Sequence, residues 1–235
     1  MFNPRPRIEA LRIDATRTAW VIDDVLTDPR AWVDIACEHA AQFKAAPFNA
    51  YPGLEWRMGP DVDQPLGEFF MQHLRSRMGF RRTLSMYSRL SLATLQPRQL
   101  RPLQRICHRD RLGAEAGQGV AACTLYLFNN PALGGTSFYA PRRPIGQIDA
   151  DIGRWNTLAD EAFTQEIGAA PAYLTASNAS FELLATVPAV FNRAVFYDGG
   201  HFHSSHVTRP ELLSGNPTEG RLTLNGFFLG RVQAA

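Results

Sequence analysis

The spacing of apolar residues changes near residue 83. Before it, apolar positions recur every three or four residues. Asp28 followed by Pro29 has the form of a helix start, and Trp32, Ile35, Ala36 and Phe43 continue at helical spacing. After a loop rich in proline and glycine, residues 65–78 place Leu66, Phe69, Phe70, His73 and Leu74 on one side of a second helix. From Thr83 onward the chain reads as short apolar runs broken by turn residues, the texture of a sheet. Residues 121–128 form a buried strand ended by Asn129-Asn130-Pro131. Gly134-Gly135 turns the chain into Thr136-Ser137-Phe138-Tyr139, which predicts a hairpin. Trp155, Leu158, Ala162, Phe163 and Ile167 predict a helical insertion over about 149–170. Strands resume at 181–184, 194–197 and 221–228. These patterns predict one domain over 1–235 that is mainly β with flanking α-helices. Residues 1–82 are a helical supporting region, and 83–230 form the sheet-rich core.

At 235 residues the chain is long enough to bury a sizeable core. Hydrophobic residues at 45% and charged residues at 20% exclude disorder and collagen-like architecture. The net charge is +2, and Lys44 is the sole lysine, so the positive charge is arginine. So small a balance gives no reason to expect nucleic acid as a partner. Cys37, Cys107 and Cys123 show no CxxC spacing and are odd in number, which favours reduced thiols and a cytoplasmic location. No signal peptide and no run of about 18 apolar residues is present, so no membrane association is expected.

Three features carry chemistry. In His108-Arg109-Asp110, residues two apart on an extended backbone point to one side, so an imidazole and a carboxylate can reach the same metal ion. The motif alone is weak, since a surface salt bridge has the same form. The second is Tyr197-Asp198-Gly199-Gly200-His201-Phe202-His203-Ser204-Ser205-His206, which holds three of the six histidines; a solvated loop or a pH-sensitive patch is the plainer account. Taken together, the two supply two histidines and one carboxylate. That facial triad leaves coordination positions open for a keto acid and dioxygen, as non-haem iron(II) oxygenases require. Third, Arg221 opens an apolar run 18 residues after His203, and alternation puts Arg221, Thr223 and Asn225 on one face. A guanidinium aimed into a barrel is costly unless it meets a carboxylate, and a dicarboxylate co-substrate provides one; an edge-strand arginine in water is the alternative.

In this order of parts the chain resembles the Fe(II)/2-oxoglutarate-dependent dioxygenase superfamily, most of all its prolyl-hydroxylase-like branch and a bacterial group within it. The likeness spans residues 83–230 and rests on Leu103-Gln104-Arg105 before His108-x-Asp110, the Gly134-Gly135 turn, Asn192-Arg193 and Tyr197 before the distal histidine, and Arg221 on a following strand. It implies a double-stranded β-helix, a cupin-like jelly-roll, with His108, Asp110 and His203 binding iron(II). Arg221 would hold the distal carboxylate of 2-oxoglutarate, and Tyr126 would add a hydrogen bond to it. The implied reaction is hydroxylation of a small molecule, amino acid or protein residue by dioxygen. Related enzymes that halogenate carbon replace the carboxylate ligand by a small residue, and Asp110 is present here. The separation of 18 residues between His203 and Arg221 exceeds the usual one in this branch, and it leaves His206 open as the distal ligand. A jelly-roll binding protein without turnover, or a metal enzyme that needs no keto acid, are the other readings of the same parts.

Arg98, Arg101 and Arg105 precede the metal motif and are expected to form an exposed basic loop. Gly134-Gly135 lacks the lysine and helix start of a phosphate loop. Cys107 and Cys123 are expected to be buried and inert.

Overall fold

In the computed structural model, residues 1–46 and 50–232 are described. They run as β1 (Ile8–Arg12), β2 (Thr18–Ile22), α1 (Pro29–Glu38), β3 (Lys44–Ala45), β4 (Gly53–Arg57), α2 (Pro60–Phe69), β5 (Phe80–Ala93), β6 (Gln118–Tyr126), β7 (Thr136–Pro141), α3 (Ile145–Trp155), α4 (Asp160–Ile167), β8 (Phe181–Val187), β9 (Ala194–Asp198), β10 (Phe202–Ser205) and β11 (Arg221–Val232). Every strand pairing is antiparallel. One sheet has eight strands in the order β1-β2-β9-β6-β11-β5-β4-β3, and the other has three in the order β10-β7-β8.

Both helix starts follow local chemistry. The Asp28 carboxylate accepts from the Ala31 N–H, and Pro29 takes the first helical position. α2 begins earlier than its periodicity predicts, at Pro60, with Asp61 and Asp63 favouring the positive end of the helix dipole. Pro65 therefore lies inside the helix, where the apolar face overrides the missing N–H. A π-helical turn, Phe70–Leu74, carries that face onward.

The alternation along the long strands builds the layers. On the large sheet, Cys123, Leu125, Phe196, Leu222, Leu224 and Phe228 pack against the α1 and α2 side chains, and the Phe70 ring stacks on Phe228 at 4.1 Å. The opposite face presents Ala122, Tyr126, Val195, Tyr197 and Phe227 to Phe138 and Val187 of the small sheet. Outside the small sheet, Tyr139, Phe181 and Phe202 are covered by Ile148, Trp155 and Phe163 of α3 and α4. The order is helices, large sheet, small sheet, helical insertion.

Two expectations are corrected. β6 and β7 do not form a hairpin: β6 pairs with β9 and β11, whereas β7 pairs with β8 and β10 in the other sheet. Both strands are buried on both faces, so each needs covering layers that a lone hairpin lacks. The region before residue 83 is not purely helical, because β1 and β2 extend one edge of the large sheet and β3 and β4 the other. Strands of two to five residues are too short to display a period. No helix among the described residues is long and apolar enough to cross a membrane.

Candidate metal centre

His203 sits on β10, opposite Phe138 of β7. On its other side it forms a bridge with His108, each residue donating its N–H to the other's carbonyl at 2.9 Å. The segment around His108 thus lies alongside the small sheet, and Asp110 is tied two residues on by its N–H to Gly199 O at 2.7 Å. Gly199 has no room for a side chain, since a Cβ there would lie 2.9 Å from the Asp110 Cβ. These backbone bonds aim three side chains at one point. Asp110 Oδ2 is 3.3 Å from His203 Nε2, and Asp110 Oδ1 is 3.8 Å from His108 Nε2. Donor atoms of all three lie within 4.8 Å of one another.

The protonation states suit a divalent cation. Loss of solvent, then the neighbouring His203 ring, lowers the His108 imidazole to about 4, although 44% of its side-chain surface is still accessible. Burial would raise the Asp110 carboxyl, but the neighbouring side chains of His203, His108 and Arg89 outweigh it and hold the group below its ordinary range. His203 Nδ1 lies 2.8 Å from His201 O, which can only accept, so Nδ1 carries the proton and Nε2 presents a lone pair. Asp110 Oδ2 is buried without a hydrogen-bond partner. A carboxylate with one orphaned oxygen, grouped with two imidazole nitrogens, fits a first-row divalent metal, because ligation satisfies all three side chains at once.

Arg221 lines the same cavity as the three residues. It is 1% exposed, with Nε donating to Leu133 O at 3.1 Å and one terminal nitrogen donating to Gly135 O at 2.8 Å. The Gly-Gly turn that supplies those carbonyls has Gly134 at φ +77, and a Cβ there would lie 1.6 Å from His206 O. Among the described residues no carboxylate forms an ion pair with Arg221, which leaves a buried cation open to an acidic ligand. The long spacing from His203 is taken up by a loop with a short 3-10 turn, Pro210–Leu212. Tyr126, expected to face the ligand, is fully buried and donates its hydroxyl to Thr136 Oγ1 at 2.8 Å; Thr136, not Tyr126, lines the cavity.

His206 stands apart from the cluster, with Nδ1 on Ser137 Oγ at 2.8 Å. Arg105 corrects the expectation of an exposed basic loop: it is 5% exposed and donates to Thr164 Oγ1 at 2.9 Å and Ala169 O at 2.8 Å. Cys107 and Cys123 are buried, and burial pushes both thiols up, Cys123 to about 12. Sequence reading missed Arg89, which lines the cavity from β5 and is paired with Glu55 of β4 at 2.9 Å. The available signal was a lone arginine between Tyr87 and Ser91 in an otherwise buried alternation.

Fold and site together define a mainly antiparallel β protein with a two-histidine, one-aspartate cluster between its sheets. The chain belongs to DUF6445, a family of unknown function, whose model matches residues 4–228. Among solved structures it is similar to a Pseudomonas putida prolyl-4-hydroxylase (14% identity, 93% of this chain and 95% of that one, TM-score 0.44). It is similar also to HygX from Streptomyces hygroscopicus with nickel and 2-oxoglutarate bound (12%, 91% and 82%, TM-score 0.47). A third is EvdO2 from Micromonospora carbonacea var. aurantiaca (11%, 97% and 96%, TM-score 0.45). No curated protein matches. Likeness at this level leaves the chemistry to be argued from the chain's own residues.

Proposed function

We propose that the chain is a non-haem iron(II), 2-oxoglutarate-dependent oxygenase built on a double-stranded β-helix. The observation that carries the reading is one cavity that holds both the His108, Asp110, His203 cluster and a buried arginine without a carboxylate partner. The two facing antiparallel sheets agree with a jelly-roll.

His108, Asp110 and His203 would hold the iron, with Asp110 Oδ2 gaining the partner it lacks. When bound, the metal supplies redox chemistry toward dioxygen, with 2-oxoglutarate as the source of the second electron pair. Arg221 would receive the distal carboxylate of 2-oxoglutarate through the N–H groups not spent on Leu133 and Gly135. Tyr126 would act one step back, by fixing Thr136 on the cavity wall. The carbonyl of His201 keeps His203 in the tautomer that can ligate. Phe227 and Tyr197 close the cavity toward the inter-sheet core and limit access of water. The net reaction would insert one oxygen atom of dioxygen into a substrate C–H bond, while 2-oxoglutarate becomes succinate and carbon dioxide.

The test is succinate release under air with iron(II) and 2-oxoglutarate, in wild type and Asp110→Ala. Slow release even without substrate, lost in the variant, is expected. Equal release from both proteins, or none from an iron-loaded wild type, would turn the reading toward a keto-acid-independent metal protein.

A further inference from the structure

The metal-facing cavity has a second compartment, nearer the surface, which shares Tyr51, Arg89, His108, Asp110, Ser204 and Ser205 with the deeper one. Gln104, at the end of a 3-10 turn, lines it together with Ile106, His108 and Asp110. If the deep compartment takes 2-oxoglutarate, the outer one is where a substrate meets the metal. Most of its polar lining is already spent. The Gln104 amide donates to Tyr51 O at 2.9 Å, the Tyr173 hydroxyl to Leu95 O at 2.7 Å, and the Ser204 hydroxyl to Leu174 O at 3.4 Å.

Arg89 is different. One terminal nitrogen donates to Glu55 Oε2 at 3.2 Å, while Nε lies 2.9 Å from Glu55 Oε1 as an ion pair without a hydrogen bond. The Phe227 ring lies 4.7 Å from the guanidinium carbon and fixes its plane. The second terminal nitrogen makes no hydrogen bond to the described residues, and the side chain is 18% exposed at the junction of the two compartments. What remains is the edge formed by Nε–H and the second terminal nitrogen, which offers parallel donors to a planar acceptor. Ser205, on the same wall, also has a hydroxyl without a partner among the described residues.

We infer that Arg89 is a specificity-determining residue, and that the substrate carries a carboxylate that this edge receives beside the candidate metal. The inference rests on the oxygenase reading. Glu55 acts as a positioning residue: it orients the guanidinium, and by neutralising part of its charge it makes an anion compete on geometry. Phosphate fits the same edge but brings a larger negative charge beside the Glu55 carboxylate, and a neutral amide lacks the charge-assisted bonds.

The test is calorimetric titration of zinc-loaded protein, saturated with 2-oxoglutarate so that Arg221 is occupied, with acetate, butanoate and hexanoate, the corresponding amides, and inorganic phosphate. One carboxylate should bind at least tenfold tighter than its amide and than phosphate. Arg89→Met should remove that preference, and Arg89→Lys should restore part of it. Should Arg89→Met fold poorly, Glu55→Gln with Arg89→Gln keeps a neutral hydrogen-bonded pair and should show the same loss. Carboxylate binding that is unchanged in both variants, phosphate binding that is tighter than carboxylate binding, or no carboxylate binding in wild type would overturn the inference. If 2-oxoglutarate itself fails to bind, the oxygenase reading fails separately; the series is then run on Arg221→Met, where an Arg89-dependent preference still reads the outer site.

Discussion

Asp110 is the residue on which the centre turns, because it is the one carboxylate of the cluster and has a buried oxygen with no protein donor. Asp110→Ala and His203→Ala should each lower affinity for zinc or iron(II) by at least 100-fold in chelator competition, since losing a ligand exceeds the roughly 10–100-fold cost of losing an outer partner. His206→Ala should leave affinity within about threefold, because its ring is bonded to Ser137 and stands outside the cluster. An effect of His206→Ala as large as that of His203→Ala would move the distal ligand. The pairing of His108 with Asp110 was legible because a two-residue spacing is a local property of extended chain. The choice between His203 and His206 was not, since it depends on which residue the β10 register brings opposite His108. Arg89 was illegible for the same reason: its cavity is made by strands distant in sequence.

At the scale of elements, the π-helical turn and β11 are held together by the stacked Phe70 and Phe228 rings. Phe70 is fully buried, so Phe70→Ala should cost about 3–5 kcal/mol in urea unfolding; a loss below about 1 kcal/mol would mean that this contact is not part of the cooperative core. Arg105 ties the α3 and α4 insertion to the segment that leads into His108. Arg105→Ala should cost about 1.5–3 kcal/mol and loosen the insertion first, read as faster amide exchange at residues 160–169. Long strands and the α1 start were legible because each carries its own alternation or cap. The exchange of β6 and β7 between sheets was not, because a Gly-Gly turn sets a change of direction and leaves the choice of partner strand to the layers around it.

The molecule as a whole stacks four layers, and the candidate centre lies where both sheets contribute to one cavity. Burial holds His73, His108 and His206 below the ordinary imidazole range. In the unfolded chain these groups titrate near about 6.5, so between that value and their lower folded values the unfolded state binds more protons. Their contribution to stability is full above about pH 6.5 and is lost as pH falls toward the folded values, about 4 for His108. The Tm of the chelator-treated protein should therefore fall steadily from pH 7.5 to pH 5, and a flat or rising Tm would contradict these shifts. The central claim concerns the pairing of metal and keto acid in one cavity. Anaerobic titration with iron(II) and then 2-oxoglutarate tests it most directly, through the weak visible charge-transfer band of a chelated keto acid. The account predicts a band in wild type, its loss in His108→Ala and His203→Ala, its survival in His206→Ala, and a need for at least tenfold more 2-oxoglutarate in Arg221→Ala. No band from a folded, iron-loaded wild type at any concentration of 2-oxoglutarate would contradict it.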